Sequence, residues 1–244
     1  MGMDSVLAVS APSSINETLL VVFTGVLAVA TILALFQDWV RSLIWHPTLK
    51  ATIESRPPDC HKTSAYYGVA PNYSEAPCFY YRLRVTNTGW AAAHIVEVYA
   101  TNVERRTSTG EWQRVERFIP QYLNWSLLET IQLPIIPPGA SRHCDVGHVV
   151  NPKHRRNLDP IENDEQVPED QTLLSLDVRP RPLRRSHLLP KGEYRITLEI
   201  AASNAKPRTA VLFANNPGTW HDDEAIMLRD GVSIALGSAL TRSE

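Results

Sequence analysis

Between Glu17 and Asp38 the chain carries no charged side chain, and residues 19–36 within that interval (LLVVFTGVLAVATILALF) are almost wholly apolar. As an α-helix, about 20 such residues rise about 30 Å, the thickness of a bilayer's hydrocarbon core. Three fates compete for such a run. A cleaved signal peptide is disfavoured, because the region before it has no Lys or Arg and the apolar run continues past the cleavage-like Ala28-Val29-Ala30. A buried core helix seldom stays uniformly apolar over this length. A transmembrane helix remains the expectation, with Leu19, Val22, Phe23, Leu27, Ile32, Leu35 and Phe36 facing lipid. Trp39 and Trp45 would then sit at headgroup level. Gly2 does not signal myristoylation, since position 6 is Val.

Orientation follows from flanking charge. Asp4 and Glu17 precede the run, while Arg41, Lys50 and Arg56 follow it. The excess of basic residues on the second flank places the carboxy-terminal part in the cytoplasm. The expected organisation is a tail over 1–17, a transmembrane helix with juxtamembrane extension over 18–46, and one domain over 47–244.

That domain reads as mainly β. Residues 79–100 (FYYRLRVTNTGWAAAHIVEVYA) hold two alternating runs around Asn87-Thr88-Gly89, so a hairpin is expected there. Tyr81, Leu83 and Val85 supply one apolar face; His94, Val96, Val98 and Ala100 supply another. His94 is therefore expected as a core histidine with a backbone partner. Gly89 is expected to provide a turn residue with φ > 0.

Residues 193–202 give the cleanest strand, with Tyr194, Ile196, Leu198 and Ile200 on one side. Further strands are expected at 49–54, 112–118, 130–136, 144–150, 173–178, 209–213 and 232–236. Residues 222–229 suit a short helix, with acids first and Arg last. Residues 56–77 and 151–171 read as loops, 180–191 as a basic Pro-interrupted connection, and 120–125 as irregular. Eighteen prolines against eleven glycines fit many short segments. About nine strands with few helical periods imply an antiparallel sandwich whose two sheets bury their apolar faces together.

Two patterns resemble known families. The stretch Leu189-Pro190-Lys191-Gly192-Glu193-Tyr194, running on to Ala202-Ser203-Asn204, resembles the penultimate strand of immunoglobulin-like and fibronectin type III sandwiches. That resemblance implies a tyrosine corner closed through the Tyr194 hydroxyl. Val85-Thr86-Asn87-Thr88-Gly89, followed by Ala93 and Val96, resembles the hairpin of bacterial CARDB-like immunoglobulin modules. Together they cover about a quarter of the chain and imply architecture without catalytic residues. Cys78 has no cysteine partner on the Tyr194 strand, unlike antibody domains. The whole layout resembles bacterial membrane-anchored proteins carrying one immunoglobulin-like sandwich.

Chemistry is sparse. Three cysteines, an odd number without framework spacing, suit a reducing compartment. Cys60, His61, His143, Cys144 and His148 are the zinc candidates by ligand type, but none has paired-ligand spacing, and adjacent Cys-His residues on a strand face opposite ways. Packed or surface roles are expected instead, with no metal and no cofactor. A nucleophilic cysteine with His61 or His143 as base lacks any flanking signature. The basic clusters 153–156 and 179–191 suit anionic headgroups, an acidic partner or plain solvent. A net charge of −2 gives no drive toward nucleic acid.

The expectation is a single-pass, membrane-tethered binding or scaffold module that is not an enzyme. It meets the lipid bilayer and an unidentified protein partner, with no nucleic acid and no small-molecule substrate. The alternatives are an accessory subunit assembled through its transmembrane helix, for which Gly25 and Ala28 offer close approach, and a metal- or cysteine-dependent enzyme.

Overall fold

The structure is a computed structural model describing residues 14–37, 45–69, 72–128, 130–158 and 160–237. The expected tail up to residue 13 and the juxtamembrane position of Trp39 lie outside the described residues. The chain divides into two compact units, 1–45 and 46–244.

In the first unit, helix α1 covers Ser14–Leu35. Its segment Glu17–Leu35 has a mean hydropathy of 2.6, long and apolar enough to cross a membrane. The polar side chains beyond Leu19, Thr24 and Thr31, are satisfied within the helix. Thr24 donates to the Leu20 carbonyl at 2.7 Å and Thr31 to the Leu27 carbonyl at 2.8 Å. Leu19, Val22, Phe23, Leu27, Ile32, Leu35, Phe36 and Trp45 are exposed.

The second unit is an antiparallel β-sandwich. In chain order its strands are β1 (Leu49–Thr52), β2 (Cys60–Val69), β3 (Asn72–Asn87), β4 (Ala93–Arg106), β5 (Trp112–Arg114), β6 (Gln121–Trp125), β7 (Gln132–Ile136) and β8 (Ser141–Val150). Then follow β9 (Leu174–Leu176), β10 (Val178–Arg179), β11 (Leu188–Leu189), β12 (Gly192–Ala202), β13 (Ala205–Asn216), helix α2 (Glu224–Asp230) and β14 (Ser233–Leu236). One sheet, here sheet A, runs from β1 and β2 through β3 and β8 to β9 and β11. The other, sheet B, places β4 between β5, β6 and β7 on one edge and β12, β13, β14 on the other.

Strand β6 joins the two sheets. Gln121 and Tyr122 pair with β4, and two residues later Asn124 and Trp125 pair with β8. Divided pairing leaves β6 buried on both sides, which erases the period-2 signal and explains why 120–125 reads as irregular in sequence.

The apolar faces meet in one core. Tyr81, Leu83, Val85 and Cys144 from sheet A pack with Val96, Val98, Tyr194, Ile196 and Leu198 from sheet B. Polar tips inside it are paired. The Tyr81 hydroxyl donates to the Val232 carbonyl at 2.8 Å, and the Trp125 indole donates to the Val96 carbonyl at 3.2 Å.

The expected 79–100 hairpin is not one. β3 pairs within sheet A and β4 within sheet B, so residues 88–92 form an arch between the sheets. Asn87 organises this arch. Its side chain accepts from the amides of Thr48 and Gly89 and donates to the carbonyls of Ala91 (2.7 Å) and Ile136 (2.9 Å). Gly89 is required for closeness, not for φ > 0: a Cβ there would lie 2.3 Å from the His46 carbonyl oxygen. Asn204, in the β12–β13 turn, accepts from the His94 amide and donates to the Ala92 carbonyl, fixing the other end of the arch.

His94 is exposed, contrary to the alternation that places it in the core. Ile95 takes φ 49°, which inserts two outward residues between buried Ala93 and Val96. Residues 60–69, read as loop, instead form β2 and pair residue for residue with β3. Few of these residues are fully buried, so no apolar stripe advertises the strand. The strand expected over 112–118 stops at Arg114; Arg117 takes φ 63° and Phe118 turns into the core.

Candidate functional site

Tyr80, Arg82 and Arg84 alternate with the core residues of β3, so they project from the outer face of sheet A. A bulge in β8 supplies their neighbours. The register shifts between Tyr81 and Arg82, making Val146 the extra, inward residue. Asp145 thereby lies opposite Arg82, and His148 opposite Tyr80, on the same outer face. Gly147 lets β9 close in, since a Cβ there would stand 2.4 Å from the Ser175 carbonyl oxygen.

Over this face lies a cleft of about 870 Å³. Hairpin residues 63–67 form one wall. Tyr80, Arg82, Asp145 and His148 form the floor, and Asn124, Leu127, Asn157, Glu162, Asp177, Arg179 and Arg181 are among the other lining residues. The wall around Glu162 is held from behind by Arg155. That guanidinium donates to the carbonyls of Gln171 (2.6 Å), Val167 (2.5 Å) and Pro168 (2.9 Å). One member of the basic cluster 153–156 is thus an internal strut.

Three ion pairs occupy the cleft. Arg82 Nε lies 3.0 Å from Asp145 Oδ1, which also accepts from the Ser126 hydroxyl at 2.5 Å. Burial nonetheless pushes the Asp145 carboxyl up, with Ser126 and Arg82 opposing. His148 Nδ1 lies 3.1 Å from Asp177 Oδ1, and its Nε2 is 3.9 Å from Glu162. Burial alone would lower this imidazole, but the two carboxylates outweigh it and hold its pKa above the ordinary histidine value. Glu162 also pairs with Arg181 at 2.6 Å and accepts from the Ser175 hydroxyl at 2.6 Å. The Tyr80 ring stacks on His148 with centroids 5.2 Å apart.

Two lining groups have no partner among the described residues. Arg179 makes no ion pair or side-chain hydrogen bond. The Oδ1 of Asn124, a residue only 9% exposed, is buried without a donor. Register relates them: β10 runs antiparallel to β6, with Arg179 opposite Tyr122 and the Asn124 amide bonded to the Asp177 carbonyl.

Ser175 is buried and spends its hydroxyl on Glu162, so it stands as no nucleophile beside His148. The carboxylates of Asp177 and Glu162 favour the protonated form of His148.

The zinc candidates do not converge. Cys60 and Cys144 belong to the core between the sheets, while His143 and His148 lie on the outer face. His143 Nε2 sits 3.0 Å from the fully buried Asp59, which also pairs with Arg84 at 2.8 Å and accepts from the Glu54 amide. His61 lies opposite Tyr80, and burial followed by Arg82 lowers its imidazole. No group of three or more His, Cys, Asp or Glu among the described residues is arranged to hold a metal. Burial pushes the thiols of Cys60 and Cys78 up to about 12 and that of Cys144 well upward, so none offers a thiolate at neutral pH.

Of the cleft, sequence reasoning singled out His148, and Arg179 and Arg181 as members of the basic cluster 179–191. Asp177 carried a usable signal, a carboxylate inside the apolar run 173–178, because a charge there demands a partner. Asn124, Glu162 and Arg82 carried none.

No protein-family model matches the chain, and no curated protein matches it.

Proposed function

We propose that this chain is a membrane-tethered binding module of immunoglobulin-like type whose sandwich captures a segment of a protein partner in the cleft on sheet A. The observation that carries the reading is the pairing pattern in that cleft. Arg82–Asp145, His148–Asp177 and Arg181–Glu162 neutralise each other in pairs, which leaves a cation at Arg179 and a buried acceptor at Asn124 Oδ1 for a ligand to satisfy. A peptide supplies both complements, amide N–H donors and carboxylates. Tyr66, 71% exposed on the hairpin wall, adds apolar contact.

The tether is α1. Its length and hydropathy match a bilayer, and Thr24 and Thr31 have already spent their hydroxyls on backbone carbonyls, as a lipid environment demands. The flanking charges support a cytoplasmic sandwich. Tethering raises the concentration of the captured segment at the membrane surface.

Two experiments test this. Membrane fractions washed with carbonate and high salt should retain the chain; release into the supernatant defeats the tether. A photo-crosslinking amino acid at Tyr66 or Leu127, both on the cleft, should yield an adduct of one defined mass. It should be absent at Thr109, on the remote β4–β5 turn, and lost when Arg179→Glu is added. Equal adducts at all three positions, or none at the cleft, defeat the capture reading.

A further inference from the structure

The loop between β10 and β11 has a feature that peptide capture does not use. From Asp177 to Glu193 there is no carboxylate, and the interval holds Arg179, Arg181, Arg184, Arg185 and Lys191. Arg181 is committed to Glu162. Arg179, Arg184 and Arg185 have no side-chain partner among the described residues. Between them stands Leu183, 90% exposed.

The loop holds this leucine out by construction. The Arg185 amide bonds to the Pro182 carbonyl at 2.9 Å, closing a turn with Leu183 and Arg184 at its tip. Arg185 adopts φ 57°, and the next turn is closed from the Leu188 amide to the Arg185 carbonyl at 3.0 Å. Behind the tip, residues 186–189 are buried and β11 pairs with β9. On the other side, β10 pairs with β6. An apolar tip on a loop fixed at both ends loses little conformational entropy on docking.

We infer that the 182–185 turn is a contact site for an anionic lipid surface, with Leu183 entering the acyl boundary and Arg184 and Arg185 meeting headgroup phosphates. Charge complementarity favours this occupant, because two unpaired guanidiniums beside one leucine present both of the interactions an anionic interface rewards. The site needs the chain to be at a bilayer but does not depend on what fills the cleft.

The test uses the full chain in lipid nanodiscs of phosphatidylcholine alone or mixed equally with phosphatidylglycerol. An environment-sensitive fluorophore is attached through Leu183→Cys, the native thiols being buried; a second preparation carries it through Thr109→Cys. Emission at 183 should shift to the blue, and be quenched by spin-labelled lipid, in the anionic discs only. The effect should weaken at high salt, and the docked-to-undocked ratio should fall about fivefold for each arginine changed to Gln. The combined R184Q/R185Q chain carries the same label, so label hydrophobicity cancels in the comparison. Aqueous emission at 183 in both discs overturns the inference, as does equal quenching at 109 or an unchanged signal in the double variant. A chain that fails to enter discs refutes the tether instead; its loop is then read against preformed vesicles of the same two compositions, with the same outcomes deciding.

Discussion

The Tyr194 hydroxyl donates a hydrogen bond to the carbonyl oxygen of Pro190, four residues upstream, at 2.8 Å. The tyrosine is buried, and Arg105 lies 5.9 Å from its ring centre. The bond ties the approach to β12 onto the strand itself, which pairs with both β4 and β13 in sheet B. Replacing Tyr194 by Phe keeps the packed ring and strips only this bond. We expect a loss of about 1 kcal/mol, read as a lower urea midpoint with unchanged slope. A variant as stable as the parent would reduce the hydroxyl to an incidental contact.

Asn87 should prove far more sensitive. It is fully buried, and its four hydrogen bonds reach β1, the arch and β7. Asn87→Ala orphans several backbone groups at once, for a loss of about 3 kcal/mol or more. Asn87→Asp keeps the acceptor for both amides, loses both donated bonds and buries a charge, so it should fare no better. Thermal unfolding of the pair decides; a wild-type melting temperature for the Asp variant would show that the donors to Ala91 and Ile136 are dispensable.

The buried histidines set opposing pH dependences. His148 is raised above 6.5 in the fold, so its pairing with Asp177 and Glu162 stabilises fully below 6.5 and is lost as pH climbs through its folded value. His61 and His187 are lowered, chiefly by burial. Below 6.5 the unfolded chain takes up protons that these two refuse in the fold, and stability falls with pH. Stability should therefore peak near 6.5 and decline on both sides. Denaturation midpoints across pH should show His148→Gln flattening the alkaline side alone. A decline on that side that survives the substitution would assign it to other groups.

What the sequence made legible follows from how each residue is exposed to selection by burial. Tyr81, Leu83, Val85, Ile196 and Leu198 each face one core on a regular strand, so period 2 reports them directly. Sandwich and helix were readable for that reason. Pairing was not: nothing in 79–100 distinguishes a hairpin from an arch, because both place apolar residues inward and differ only in which sheet receives β4. The cleft was less legible still. Its polar groups come from β2, β3, β6, β8, β10 and three connections, brought together by the Val146 bulge and the sheet switch of β6. Neither device leaves a local pattern. Asp177 and Asn124 owe their positions to register, which is a property of the whole fold.

His187 offers the sharpest separation of structure from function. It is fully buried, and neither ring nitrogen has a hydrogen-bond partner. Its neighbours Glu162, Arg181, Asp177 and His148 all act on its titration, yet burial dominates and keeps it neutral. An unpaired buried imidazole costs stability that an apolar side chain of similar volume would not. His187→Leu should therefore raise stability by about 1–2 kcal/mol and remove part of the loss below pH 6.5, since one group that refuses a proton in the fold is gone. Chemical denaturation above and below 6.5 reads both effects. If the variant is instead destabilised at every pH, His187 packs or bonds in a way that outweighs its unpaired nitrogens, and the argument from its burial fails. If it is stabilised but loses the cleft crosslink at Tyr66, the histidine belongs to the ligand site rather than to the frame behind it.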